Sequence, residues 1–210
     1  MSSPFDATIS QFLDDLKSDA PTPGGGAVAG LMGALSAALA HMVTSLTAGK
    51  KAYREVNDEF VALQAPLQKA MDEFDRLAEA DMEVFDAVMA AWKLPRGTSE
   101  EIAVRKDAMH KTTVDAAAVP MDCVRASAAL LPMIRRTAES GNAHAVSDAG
   151  ISALLAGAAA RAAAFNVRIN ASALPDIEGA QLVADLDAAL LEIETEAQAI
   201  ENLALARISS

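Results

Sequence analysis

The sequence has few cysteines and few aromatic residues. Among its 210 residues are one Cys, one Trp and one Tyr, and aromatic residues make up 4% against 52% hydrophobic residues. The single cysteine, Cys123, excludes an internal disulfide and a multi-cysteine zinc site, and is typical of a reducing compartment. A core with few aromatic side chains must be built from Ala, Leu, Val, Ile and Met, which favours closely packed helices. We therefore predict an all-α fold and a single domain over residues 1–210.

Basic residues are also scarce. The chain has 17 Lys and Arg against 29 Asp and Glu, a formal net charge of -12. Because affinity for nucleic acid comes largely from Lys and Arg, we predict no nucleic-acid partner. Two local groups of cations are either solvated helix faces or sites for a small anion. These groups are Lys50, Lys51 and Arg54, and Arg105, Lys106, His110 and Lys111.

Patterns for metals, secretion and membranes are missing as well. The three histidines have no metal-ligand spacing, so we predict no metal and no cofactor beyond the substrate. Residues 1–16 have no basic segment followed by an apolar stretch, which predicts a cytoplasmic protein. The uncharged residues 27–43 are mostly Ala and Gly and give little transfer free energy. They predict a helix buried on all sides, with no membrane partner.

Hydrophobic periodicity predicts an up-and-down-type bundle of about six mostly long helices. Pro66 is expected to kink the third helix, and Pro120 and Pro132 to interrupt the fourth. Gly49 suits the left-handed residue that closes a helix, and glycines inside the second helix indicate close helix contacts. The predicted spans are approximately residues 5–17, 27–47, 52–92, 99–140, 147–170 and 179–207.

The last predicted helix carries an apolar seam that can pack on a partner helix of the same chain or of a second subunit. Together with the apolar residues 27–43, this seam leads us to expect a homodimer or larger homo-oligomer. Burial inside one subunit would explain both features. The seam consists of Leu186, Leu190, Ile193, Ala197, Ile200 and Ala204.

A glycine loop precedes the second helix. Residues 21–26 are Pro-Thr-Pro-Gly-Gly-Gly, which permits unusual backbone angles and leaves N–H groups uncovered at the positive end of a helix dipole. That arrangement can hold an anion. It lacks the Lys-Ser/Thr ending of a nucleoside-triphosphate loop, so phosphate transfer is poorly supported. Alone, the loop is either a turn or a ligand-binding element.

Polar residues are embedded in the apolar helix predicted for residues 147–170. The separation between Asp148 and Asn166 corresponds to about five helical turns, so they share a face, with Asn170 one turn beyond. Asp148 is either a helix cap or a functional carboxylate, and the asparagines either bond neighbouring helices or bind a ligand. Asp81 is either a surface acid or a functional one.

In their order along the chain, these segments resemble the cyclodeaminase/methenyltetrahydrofolate cyclohydrolase family. This helical domain also forms one half of bifunctional formiminotransferase-cyclodeaminase. The resemblance spans nearly the whole chain. It rests on residues 21–26, Met42-Val43, residues 46–50, Asp81 with Phe85, Leu94-Pro95, Arg105, Val119-Pro120, Ser147-Asp148 and residues 166–170.

Two positions depart from the family pattern. Ala27 stands where the family usually has Ser, and Phe85 where it usually has Tyr. Both departures remove a hydroxyl, so they put in doubt any hydrogen bond or proton relay through those groups. Backbone binding by the glycines is unaffected.

The resemblance implies hydrolysis of 5,10-methenyltetrahydrofolate to 10-formyltetrahydrofolate. Asp148 and Asp81 would stabilise the cationic bridge and orient or deprotonate the water. Lys50 would donate a proton or bind the folate's glutamate carboxylates. The expected substrate-binding residues are Pro23, Gly24, Gly25, Gly26 and Ser147, with Asn166 and Asn170 at the pterin edge.

Two alternatives stay open. One keeps the folate but releases ammonia from 5-formiminotetrahydrofolate, and the other is a non-catalytic helical oligomer. The sequence contains no formiminotransferase half, which favours the cyclohydrolase.

Overall fold

The computed structural model describes residues 3–209. The first two residues of the N-terminal segment and the last residue of the predicted 1–210 domain lie outside this range. Within it there are six α-helices and no strand, which confirms the predicted all-α fold. The helices are α1 Ile9–Leu16, α2 Gly25–Thr47, α3 Asn57–Trp92, α4 Ser99–Ser140, α5 Val146–Ala171 and α6 Asp176–Ile208.

Capping interactions set where α1 and α4 begin. The hydroxyls of Thr8 and Thr98 accept a hydrogen bond from the backbone N–H three residues further on, and the side-chain oxygens of Gln11 and Glu101 accept one from the N–H of the cap residue. Thr98 is therefore the N-cap of α4. The first and third helices are shorter than predicted, because Pro4–Asp6 and Lys51–Tyr53 form separate 3-10 turns. A third such turn, Ala143–Ala145, precedes α5.

Helices α2 to α5 pack around a shared core, and α6 packs on α4 and α5. The predicted seam of α6 is used inside the chain, since Gly157 lies beside Ala197 and Gly150 beside Ala204. The seam therefore needs no second subunit. The largest fully buried side chains are Phe60, Phe74, Leu67, Leu130, Ile134, Leu186, Ile193 and Ile200.

Glycines let α2 approach α3 closely, as predicted. A Cβ on Gly30 would lie 2.9 Å from the Cβ of Ala78, and one on Gly33 would overlap the Phe74 ring. After the helix, Gly49 adopts a φ of 74°, the left-handed conformation that the sequence predicts for it.

Helix α2 runs antiparallel to α5. Ser36 and Ser152 join their midsections by exchanging hydrogen bonds: each hydroxyl donates to the other's backbone carbonyl, at 2.6 and 2.7 Å. At one end of the pair Gly25 lies beside Asn166. Burial of α2 on all sides is wrong for a single chain, since its outer side chains, including Leu35 at 47%, are exposed.

The predicted interruptions of the fourth helix are also wrong, because α4 continues from Ser99 through Pro120 and Pro132 to Ser140. A proline has no N–H, so Pro120 leaves the carbonyl of Ala116 without its helical donor. The Asn170 side chain on α5 fills that role, donating from Nδ2 to the Ala116 oxygen at 2.7 Å. An inter-helix hydrogen bond thus replaces the missing backbone one.

Three helices are long and apolar enough, by length and composition alone, to cross a membrane. Composition alone therefore does not exclude a membrane span at residues 27–43, contrary to the prediction. The most apolar windows are 44% to 50% buried inside the chain, so helix packing uses about half of that surface. The three segments are Gly25–Thr47, Ser99–Ser140 and Ala143–Ala171.

Candidate active site

The Asp81 carboxyl of α3 lies against the first turn of α2, in the space that a side chain at position 26 would occupy. A Cβ on Gly26 would overlap the carboxyl group. A side chain at position 26 would therefore displace the Asp81 carboxyl, which favours glycine there for packing as well as for backbone flexibility. The glycine loop and Asp81, which are far apart in sequence, form one local site.

Asp81 is a carboxyl group without a protein partner. No hydrogen bond or ion pair to it occurs among the described residues. Burial raises the pKa of Asp81 above its usual 3.8, because removal from water penalises the charged form. A carboxyl with a raised pKa in a cleft is a candidate for proton transfer.

The cleft beside Asp81 is very small. Its open volume is about 10 Å³, near the roughly 10–15 Å³ that one water molecule requires. A folate cannot enter it and would have to lie outside, against the glycine loop. The cleft is lined by Gly26, Ala29, Gly30, Leu77, Asp81, Val119, Pro120, Cys123 and Ala163.

Cys123 forms part of the wall of this cleft, a position that the sequence did not predict. Burial, followed by the negative charge of Asp81, raises the pKa of its thiol to about 12. The thiol is therefore neutral and unreactive at physiological pH. Its position in the sequence could have indicated this, because Cys123 follows Pro120 by three residues and residues three apart on a helix share a face.

Asn166 provides the second unpartnered polar group. Its Nδ2 atom is buried and has no hydrogen-bond partner within residues 3–209. The same atom lies 3.7 Å from the position that a Cβ on Gly25 would take. Leaving a buried donor unpaired costs about 1–3 kcal/mol, so this amide is suited to a ligand that accepts its hydrogen bond.

The loop before α2 leaves its first amides open. Gly24 is the N-cap of α2 and has no side chain to bond them, and the Thr22–Pro23 peptide is cis. Gly25 and Gly26, which carry two of these N–H groups, lie beside Asn166 and Asp81. Asn170 differs from Asn166, because its amide is already bonded to the Ala116 carbonyl.

The remaining predicted site residues lie towards the other end of α2 and α5. Lys50 is exposed and follows the C-terminus of α2, while Ser147 and Asp148 lie in the first turn of α5. Asp148 is about 27 Å from Asn166 along α5, at roughly 1.5 Å per residue. The structure therefore does not bring Asp148 or Lys50 to Asp81 within one chain.

The end that carries Lys50 is built around Asn142. Its backbone N–H donates to the Thr47 hydroxyl and its side chain to the Leu46 carbonyl, both at 2.9 Å. The Tyr53 hydroxyl accepts from the backbone of Ala143, also at 2.9 Å. These bonds fix the C-terminus of α2, and hence Lys50, relative to the start of α5.

Comparison with known proteins identifies close relatives. Residues 8–189 match the family model described as formiminotransferase-cyclodeaminase. A methenyltetrahydrofolate cyclohydrolase of Methylorubrum extorquens is 41% identical over 80% of this chain and 81% of its own length. The formimidoyltransferase-cyclodeaminase of Rattus norvegicus is 32% identical over 82% of this chain, which spans only 32% of that larger protein.

A solved structure has the same fold. The crystal structure of formiminotetrahydrofolate cyclodeaminase from Thermotoga maritima superposes with a TM-score of 0.80 at 30% identity. The match covers 97% of this chain and 96% of the other. By sequence over most of its length and by fold, the chain belongs to the formiminotransferase-cyclodeaminase family.

Proposed function

We propose that this protein is a methenyltetrahydrofolate cyclohydrolase, which hydrolyses 5,10-methenyltetrahydrofolate to 10-formyltetrahydrofolate. The relative that shares 41% identity and matches along most of its own length carries that name. The observation that supports the chemistry is the Asp81 carboxyl, unpartnered and half-buried in a cleft of about one water's volume.

The reaction needs one group that both accepts and donates a proton. Water attacks the cationic methenyl carbon, and the Asp81 carboxylate takes one of its protons, giving a neutral tetrahedral adduct. The bond from that carbon to N5 then breaks and the second oxygen proton leaves to solvent. Asp81 returns its proton to N5, so that the reaction releases one proton in all. A raised pKa suits this exchange, because it brings the carboxyl nearer to the working pH.

Substrate binding would use the groups around this carboxyl. The open amides after Pro23, at Gly24, Gly25 and Gly26, are donors for the substrate, and Asn166 is a donor for the pterin edge. Asn170 acts by holding α4 against α5. The roles of Lys50, Ser147 and Asp148 stay predictions, because a single chain does not bring these residues to the Asp81 site.

The test follows the loss of methenyl absorbance with purified protein against spontaneous hydrolysis. We expect clear acceleration by the wild type and a fall in kcat of about 10²- to 10⁴-fold in Asp81→Asn, the usual contribution of a general acid–base group. Asp86→Asn, an exposed carboxylate on the same helix, is the matched control and should retain activity. An inactive wild type would eliminate the cyclohydrolase, and a fully active Asp81→Asn would eliminate the assigned role.

The structural neighbour supports a second candidate. The Thermotoga maritima protein with the same fold is named a formiminotetrahydrofolate cyclodeaminase. That reaction releases ammonia from 5-formiminotetrahydrofolate, so measuring ammonia with the same samples distinguishes the two activities. Ammonia release faster than methenyl hydrolysis would favour the cyclodeaminase.

We further propose a soluble cytoplasmic enzyme that needs no metal and no cofactor beyond the folate. Within residues 3–209 no three His, Cys, Asp or Glu side chains are grouped to hold a metal ion. Activity that survives dialysis against a chelator would agree with this, and activity restored only by a metal would contradict it. A homodimer or larger homo-oligomer is part of the same proposal.

A further inference from the structure

We propose that the glutamate tail of the folate binds in a pocket between the end of α3 and the start of α4, where Arg105 and Lys106 hold its carboxylates. The proposal rests on the proposed function, because it takes the substrate of the Asp81 site to be a folate. It gives a role to one of the two cation groups in the sequence. The cavity, here called the corner pocket, is lined in part by Trp92, Arg96, Arg105, Lys106, Thr113 and Glu178.

The corner pocket has the size of a small-molecule site. Its open volume is about 720 Å³, and ligand pockets typically have roughly 300–1,000 Å³. The cleft beside Asp81, in contrast, has space for about one water molecule. A folate that reacts at this cleft must place most of its atoms elsewhere, and the corner pocket provides such a space.

The corner pocket and the Asp81 cleft lie along the same faces of two helices. On α3, Trp92 follows Asp81 by about three helical turns, so the two side chains share a face. On α4, Thr113 of the pocket precedes Pro120 of the cleft by about two turns. A ligand can therefore extend from the cleft to the pocket without crossing a helix.

Helix α2 does not cover the path between them. Its first turn lies beside Asp81 and Asn166. Helix α3 continues past Asp81 to Trp92, and α5 continues past Asn166 to Ala171, so both extend beyond the start of α2. Helix α4 packs on both of them. The groove that results leads outward from the Asp81 cleft.

The length of this path suits a folate. Thr113 lies about 10 Å from Pro120 along α4, and Trp92 about 16 Å from Asp81 along α3. In the substrate, about nine to eleven bonds separate the methenyl carbon from the glutamate carboxylates, roughly 11–14 Å in an extended chain with bonds of about 1.3–1.5 Å. The carboxylates therefore reach the corner pocket when the methenyl carbon lies at the cleft.

The corner pocket is locally cationic in an acidic chain. Arg96, Arg105 and Lys106 supply three positive charges, against the two carboxylates of Asp107 and Glu178. The chain as a whole has a net charge of -12. A local excess of positive charge attracts anions. The two carboxylates of a glutamate tail are therefore complementary to this pocket.

Arg105 is already oriented for such a contact. Its guanidinium lies 5.9 Å from the centre of the Trp92 ring, and Nε and Nη2 donate to the Trp92 carbonyl at 3.4 and 3.2 Å. Arginine has five N–H donors in a planar fork that suits a carboxylate, so donors remain for a ligand. Among the described residues, Arg96 and Lys106 have no ion pair or hydrogen bond, whereas Glu178 lies 3.7 Å from His110.

The other cation group is too distant for this role. Lys50 follows Thr47, which lies about 32 Å from Gly26 along α2. The corner pocket lies instead at the end of the bundle that holds the Asp81 cleft. We therefore assign the glutamate carboxylates, which the sequence led us to expect at Lys50, to Arg105 and Lys106.

The first experiment measures binding without reference to activity. Trp92 is the single tryptophan of the chain, so its fluorescence reports on the corner pocket. Benzoyl-L-glutamate, which resembles the tail without the pterin, should change the fluorescence of the wild type to saturation. Its α,γ-diamide and inorganic phosphate should not do so at the same concentrations. No change with benzoylglutamate, or an equal change with phosphate, would overturn the proposal.

Variants identify the side chains that bind the tail. Arg105→Ala and Lys106→Ala should each weaken benzoylglutamate binding about 10- to 100-fold, as expected for a charged hydrogen bond. Lys106 has no described bond to lose, so its variant tests the pocket even if Arg105→Ala disturbs the corner. Lys111→Ala is the matched control, because Lys111 pairs with Asp115 at 3.0 Å outside the pocket. Unchanged affinity in both pocket variants would contradict the assignment.

The decisive experiment connects the pocket to turnover. With methenyltetrahydrofolate, Arg105→Ala should raise KM about 10- to 100-fold and leave kcat close to that of the wild type, because the tail contact is the same in substrate and transition state. With the α,γ-diamide of the substrate, the KM of the wild type should already be raised, and Arg105→Ala should raise it no further. An equal rise with both substrates, or a rise in Lys50→Ala alone, would overturn the proposal.

Failure of the corner pocket and failure of the proposed function give different results. If the wild type lacks folate activity but binds benzoylglutamate through Arg105, the proposed function fails and the corner pocket is a dicarboxylate site. If the wild type hydrolyses methenyltetrahydrofolate and its diamide with the same KM, the proposed function holds and the corner pocket does not bind the tail.

Discussion

At the scale of single residues, Asp81 links stability to pH. Its pKa is raised in the folded chain above 3.8, so the folded state binds the proton more tightly than the unfolded state. Stability from this group is fully present below that value and is lost as the pH rises through the folded pKa. The proposed function thus places a carboxyl where burial of its charge opposes folding.

Asp81→Asn should remove this dependence. We expect the variant to gain free energy of unfolding relative to the wild type as the pH rises from 4 to 8, measured by urea denaturation at each pH. Asp86→Asn removes an exposed charge from the same helix and is the matched control. A difference that stays constant with pH for Asp81→Asn would show that burial of Asp81 does not oppose folding.

The Cys123 thiol gives a second test at this scale. A rise in pKa from 9.0 to about 12 lowers the thiolate fraction at pH 8 roughly 1000-fold. We expect Ellman's reagent to react with the native protein at least that much more slowly than with protein unfolded in urea. Equal rates would show that the cleft wall opens freely to solvent.

The sequence identified candidate site residues, but it did not indicate which of them lie close together in the fold. The glycine loop lies beside both Asp81 and Asn166, whereas Asp148 shares a helix face with Asn166 and still lies about 27 Å away. Periodicity indicates which side of a helix a residue occupies. It does not indicate which neighbouring helix lies beside each turn, and that depends on packing.

At the scale of helices, Pro120 and Asn170 act as a pair. Asn170→Ala should cost about 1–3 kcal/mol in unfolding free energy, since the Ala116 carbonyl loses its donor. Adding Pro120→Ala restores a backbone N–H that can bond that carbonyl. We therefore expect the Asn170→Ala loss to be smaller in the Pro120→Ala background, in a double-mutant cycle followed by urea denaturation. Additive losses would mean that this hydrogen bond does not stabilise α4.

Two helical glycines should respond oppositely to alanine. Gly33→Ala would drive a methyl group into the buried Phe74 ring and should destabilise the protein by about 1–3 kcal/mol. Gly157→Ala adds a methyl group 3.5 Å from the Ala197 Cβ, an ordinary contact, and should stabilise α5 by about 0.5–1 kcal/mol. Thermal unfolding of both variants would test this, and similar shifts would contradict the close α2–α3 packing.

Helix positions were largely predictable, because apolar periodicity and caps such as Thr98 are local signals. The exceptions have non-local causes. The fourth helix passes through Pro120 because the Asn170 side chain, on a different helix, bonds the freed carbonyl. Local sequence patterns do not indicate a hydrogen-bond partner that lies on a different helix.

At the scale of the whole molecule, the proposed homodimer would make stability depend on protein concentration. Unfolding that is coupled to dissociation should give a melting temperature that rises with protein concentration. We expect such a rise for the wild type in calorimetry over a 100-fold concentration range. A wild-type melting temperature independent of concentration would contradict coupled dissociation.

The all-α class followed from composition, but the exposed side of α2 did not. An apolar, uncharged sequence predicts burial without specifying whether the covering surface belongs to the same chain. Here α3, α4 and α5 cover part of α2, and its outer residues, such as Leu35 and Met42, remain exposed.

The interlocking of Gly26 with Asp81 restricts how this protein can change through mutation. Because the carboxyl occupies the space of a missing Cβ, a side chain at position 26 would push the Asp81 carboxyl out of its place beside the loop. That shift would move the proposed proton acceptor. A descendant that acquires a side chain at position 26 would therefore alter the proposed Asp81 chemistry without changing Asp81 itself.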